Sequence, residues 1–130
     1  MARGGKVLTI GLDPRQAKVM FAPELTPEII LKGVSESRAR MERLGFEVVD
    51  CMIWGAAARE TAQAALKSQP FDIVVIGAGL RINPEHLLLF EDIINLVHEN
   101  APKARIALHV GPHDIAAAVE RVSTRWPPNA

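Results

Sequence analysis

Residues able to do chemistry gather in a few short stretches of this chain. Gly77-Ala78-Gly79 follows an apolar run and leads into Arg81 and an Asn83-Pro84 step. Backbone N–H groups at such glycines, beside a guanidinium, suit an anion. The same glycines serve equally as a plain turn with Arg81 in solvent. Asp13-Pro14-Arg15 ends the first apolar run. Its carboxylate suits a base, a magnesium ligand or a ribose acceptor, although an Asp before Pro also starts turns. His86 and His113 carry imidazoles, the side chain most often used to move a proton. Either one with Asp13 could transfer protons in a small hydrolase or transferase. His86 also reads as a neutral histidine hydrogen-bonded to a loop. His109, His113 and Asp114 lack the spacing of a metal motif, so no metal is assigned. The anticipated ligand-binding set is Asp13, Arg15, Gly77, Gly79, Arg81, Asn83 and His113. No catalytic residue and no cofactor is assigned, and enzymatic activity stays open.

Positioning these residues requires strands that end where they begin. Lys6 to Gly11 reads as the first strand, and Phe46 to Ile53 as the second. Ile73-Val74-Val75-Ile76 is apolar on both faces, the mark of a central parallel strand. Arg105 to Val110 reads as the fourth strand. Helical spacing and caps predict helices from Thr26-Pro27-Glu28 to Gly45, from Gly55 to about Ser68, from Pro84 to Asn100, and from Gly111-Pro112 to Trp126. In the third of these, Leu87, Leu89, Phe90, Ile93, Ile94, Leu96 and Val97 form the apolar arc, and Leu88 falls on the polar side. The segment Arg15 to Leu25 has no clean period, and its Val19, Met20, Phe21 and Leu25 suggest a loop lying over the domain.

Strand alternating with helix implies right-handed crossovers and one parallel sheet. The expected fold is α/β: a flavodoxin-like three-layer α/β/α domain over residues 1–130, with a four-stranded parallel sheet in the order 2-1-3-4. A ligand then belongs at the carboxyl ends of the strands, between the first and the third. The fourth strand is left as an apolar edge. Together with Leu88 and the 84–100 helix it suggests homo-oligomerisation, and a non-catalytic dimeric interaction module is a further reading.

Composition narrows the partners. Lys+Arg and Asp+Glu both number 15, giving zero net charge and no field to recruit nucleic acid or an anionic membrane. Cys51 is the single cysteine, which leaves out a disulfide framework and a cysteine-based zinc site. No stretch approaches the roughly 18 apolar residues of a membrane span, and a cytoplasmic location is the expectation.

Several families share this layout in part. The first strand with Asp13-Pro14 resembles response-regulator receiver domains, but Gly77 stands where their phosphoacceptor aspartate ends the third strand. The element order is similar to flavodoxins, whose Ser/Thr-rich phosphate loop is replaced here by Leu12 to Gln16. Gly11-Leu12-Asp13, Gly77 to Asn83 and His113-Asp114 loosely resemble the Gly-Asp-Ser-Leu esterases, without the nucleophilic serine. Most of the chain resembles small bacterial α/β proteins that share the turn Gly11 to Pro14, the block Ile76 to Arg81 and the helix Phe90 to Pro102. That likeness implies a free-standing bacterial domain and carries no activity with it.

Overall fold

Val7, Leu8 and Ile10 of the first strand and all four residues of the third are buried, so both strands must lie inside a sheet covered on both faces. The computed structural model describes residues 5–17 and 24–125 and places them so. β1 (Lys6–Leu12) pairs with β2 (Glu47–Ile53) on one side and β3 (Ile73–Ile76) on the other, and β4 (Arg105–Leu108) follows β3. All pairings are parallel and the order is β2-β1-β3-β4, the arrangement the sequence predicts.

Two apolar layers hold the helices to the sheet. α2 (Ala58–Ser68), α3 (Ala78–Ile82) and α4 (Leu87–Asn100) cover one face, where Leu8, Ile10, Val74 and Ile76 meet Ala62, Leu66, Leu80 and Ile93. α1 (Pro27–Arg43) and α5 (Ile115–Arg125) cover the other, where Val7, Val48, Val75 and Ala107 meet Met41, Ile115 and Val119. The alternation of Val7 and Leu8 between the layers is the period-two pattern of a strand packed on both sides.

Local chemistry sets the helix ends. Thr26 accepts a hydrogen bond from Ile29 N–H and Pro27 occupies the first turn. Gly45, at φ 96°, takes the left-handed conformation that lets the chain leave α1 and enter β2. Asn83 accepts from Glu85 N–H at 2.9 Å, capping a 3-10 turn over Pro84–His86 that runs into α4.

Several predicted boundaries move. The glycine block contains a short helix, α3, absent from the sequence reading. α4 begins at Leu87 rather than Pro84, and Leu87 is 58% exposed instead of lying on the apolar arc; Leu88 is 68% exposed, as its spacing implies. β4 ends at Leu108 rather than Val110, and α5 begins at Ile115 rather than Pro112, because Asp114 accepts from Val110 N–H and tightens the intervening turn. Trp126, Val19, Met20 and Phe21 lie outside the described residues. No helix among the described residues is long and apolar enough to cross a membrane.

β4 forms an open edge. Arg105 N–H bonds to the Asp72 carbonyl, so Ile106 and Leu108 turn their backbone groups outward. Arg121 Nη2 donates to the Leu108 carbonyl at 2.8 Å and covers one of them with a charge.

α1 comes very close to the turn before α5. A side-chain carbon on Gly33 would lie 2.8 Å from Pro112 Cβ and 3.2 Å from the Pro112 carbonyl carbon. Alanine improves helix propensity by about 1 kcal/mol over glycine, but here it must push apart a proline ring and a backbone. We expect Gly33→Ala to be net destabilising, by about 1–3 kcal/mol in urea unfolding.

Candidate functional site

At the carboxyl end of the sheet the strand register creates a gap. On the α1/α5 face, one row across the sheet is Asp50, Thr9, Val75 and Ala107. Two residues further along, the row reads Met52, Gly11, Gly77 and His109; Gly11 is paired with Met52, and Gly77 N–H bonds to the Ile10 carbonyl at 2.8 Å. The two inner strands therefore carry no side chain at this level. The result is a trough at the β1–β3 junction, with Thr9 and Val75 as its inner end.

This trough opens into a cavity of about 320 Å³. Its walls come from Ile30 and Val34 of α1, Ile115 of α5, and Asn83 and His86 from the segment after β3. Most of the lining is apolar. A side-chain carbon on Gly11 meets nothing within 4 Å among the described residues, so it would project into the cavity. One on Gly77 would lie 3.2 Å from the Gly11 Cα, which shows how closely the two glycine backbones approach.

Among the described residues the charged group in this lining is Asp50, and its charge is already matched. Arg38 Nη1 donates to Asp50 Oδ2 at 2.9 Å, and Thr9 Oγ1 donates to Asp50 Oδ1 at 2.5 Å. The Asp50 carboxylate in turn pushes the Arg38 guanidinium pKa further up. Across the cavity stand Asn83, His86 and His109. Asn83 is 8% exposed, and its Oδ1 is held by the Glu85 N–H, which leaves the amide nitrogen to donate. His86 meets Trp54 edge-on, ring centroids 6.2 Å apart.

His109 is 8% exposed, and burial lowers its pKa; the Gly111 backbone and Asp114 oppose this more weakly, and Arg81 adds to it. Its Nδ1 is sealed from solvent with no hydrogen-bond partner among the described residues. Its Nε2 lies 4.0 Å from the place a Gly77 side-chain carbon would take, over the glycine row. Cys51 borders the cavity but packs in the apolar layer of the opposite face, and burial pushes its thiol pKa up.

The residues singled out by sequence divide into three groups. Gly77, Gly79 and Asn83 line the cavity. Asp13 and Arg15 pair with each other: Arg15 Nε lies 3.0 Å from Asp13 Oδ1, and Arg15 Nη2 lies 3.1 Å from Oδ2. Arg15 N–H and Gln16 Nε2 also donate to that carboxylate. Arg81 turns inward, its Nη2 donating to the His109 carbonyl at 2.7 Å, with Nε buried and unpartnered among the described residues. His113 is exposed, its Nδ1 3.9 Å from Glu36. No hydrogen bond joins Asp13 to His86 or His113 among the described residues. No group of three or more potential metal ligands occurs among them either.

Sequence reading overlooked Thr9 and Asp50, and left His109 as a weak metal candidate. Thr9 and Asp50 are both half-buried polar positions, and what marks them is that they are register partners, which appears only once the strands are paired.

Hydrogen bonds from Arg15 lower the Asp13 pKa to about 2. Such a depressed carboxylate favours the fold above its ordinary value, and the contribution is lost as pH falls through about 2. Carboxyl carbon NMR should show Asp13 titrating below the usual aspartate range, with Arg15→Ala moving it upward. For His109, also depressed, the favourable contribution is complete above 6.5 and lost as pH falls through the lower folded value. His109→Gln should therefore flatten the decline in stability seen on acidification below pH 6.5. Protein-family models, curated proteins and solved structures give no match to the chain.

Proposed function

We propose that the chain binds a small, uncharged, mainly apolar molecule in the cavity at the carboxyl ends of β1 and β3. The observation that carries this reading is a cavity of about 320 Å³ whose lining is mostly apolar and whose Asp50 is already neutralised by Arg38. That size sits at the lower end of small-molecule sites, which are concave, mostly apolar and carry a few placed polar groups. An anion draws less support. Arg15 is engaged by Asp13 and Arg81 by the His109 carbonyl, and a buried anion without a paired cation is costly. A hydrolase or transferase route through Asp13 likewise lacks a hydrogen bond from that carboxylate to either histidine.

Self-association is a second, compatible reading, favoured by the exposure of Leu87, Leu88, Leu108 and Val110 around α4 and the open edge. Sedimentation at rising concentration checks it: a dimer that Leu88→Lys and Val110→Lys dissociate supports it, and a monomer throughout removes it.

Filling the cavity is the direct test of binding. Gly11→Val adds its side chain to open space, in a strand that tolerates β-branched residues. A thermal-shift screen of neutral fragments should yield ligands that raise the wild-type melting temperature, by about 2.7 kcal/mol of added stability at a hundredfold excess over Kd. The same ligands should leave folded Gly11→Val unmoved.

A further inference from the structure

We infer that the cavity is shaped for a flat ring carrying a hydrogen-bond acceptor, laid against the Gly11–Gly77 backbone with its polar edge toward Asn83. This rests on the reading of the cavity as a small-molecule site and names the class of ligand.

The floor supplies the first reason. Gly11 and Gly77 sit side by side on hydrogen-bonded inner strands, and the Gly77 N–H is already used by the Ile10 carbonyl. With its N–H directed along the sheet, the Gly77 peptide offers the cavity a planar surface rather than a free donor. Adjacent strands lie about 4.8 Å apart, so the Met52 and His109 backbones bounding the trough are separated by about 14 Å. A flat ligand makes the most dispersion contacts with such a surface, while a puckered one of the same size leaves gaps.

The rim supplies the second. Asn83 lines the cavity and is fixed by the bond from Glu85 N–H to its Oδ1, which leaves its amide nitrogen as a donor of set orientation. His109 Nε2 lies 4.0 Å from the place a Gly77 side-chain carbon would take; its ring is packed in at 8% exposure, and Arg81 holds the backbone carbonyl of the same residue. A ring whose edge places a carbonyl beside an N–H, as in a lactam, carries an acceptor for the Asn83 amide and a donor that suits an imidazole nitrogen. A ring without polar atoms leaves the buried Asn83 donor unmet, at a cost that disfavours it.

The experiment compares three probes by ligand-observed NMR and by the amide shifts of Gly11 and Gly77. Carbostyril is a flat neutral lactam, its octahydro counterpart is puckered with the same polar edge, and quinaldate is flat and anionic. Carbostyril is expected to bind at least tenfold more tightly than either of the others. Asn83→Asp keeps the cap acceptor for Glu85 N–H but removes the donor, and should weaken carbostyril at least tenfold. Equal or better binding of the puckered lactam, or indifference to Asn83→Asp, overturns the flat-ring inference while leaving the cavity reading standing. Preference for quinaldate overturns the uncharged ligand as well. No binding of any probe at millimolar concentration, or binding that Gly11→Val leaves intact, overturns the small-molecule site itself.

Discussion

Parallel pairing of β1 with β3 is the constraint on which the remaining structure depends. It places two strands of buried residues at the centre of the sheet, so that each face must be covered by helices. It also aligns Gly11 with Gly77 where the strands end. A slip of one residue between these strands would set Gly77 beside Ile10 or Leu12 and fill the trough with a branched side chain. Register, which ordinarily protects a core, here also protects an empty space.

Charge follows the same division between interior and rim. The chain's acids and bases balance, and those near the carboxyl ends of the strands satisfy one another. Arg38 takes Asp50, Arg15 takes Asp13, and Arg81 takes a backbone carbonyl. The Asp13–Arg15 pair is largely solvated on the arginine side and adds little to stability. Arg81 is different, because its contact with the His109 carbonyl ties the segment after β3 to the end of β4 and fixes the breadth of the cavity mouth.

How much of this could be read from residues alone differs between fold and site. The β-branched runs Val7–Ile10 and Ile73–Ile76 announce central strands, and the Thr26-Pro27 and Asn83-Pro84 steps announce caps, because each depends on neighbours close in sequence. α3 escaped notice since Gly-Ala-Gly has little intrinsic helix preference, and tertiary packing of Leu80 overrides it. Leu87 was misassigned because a 3-10 turn before α4 shifts the phase of the apolar face. Gly77, Gly79 and Asn83 were found by position at the strand end. Thr9 and Asp50 required knowledge of which residue lies opposite which, and the inward turn of Arg81 required its rotamer. Neither follows from a one-dimensional pattern.

Cys51 is the chain's one thiol, and it packs on the α2 side of β2 with Ile53, Ala58 and Leu66. Its burial keeps it protonated and sluggish toward electrophiles. A reagent reaches that sulfur only when the helices over it part from the sheet. The rate at which Cys51 is alkylated therefore reports how often that layer opens, without any engineered reporter.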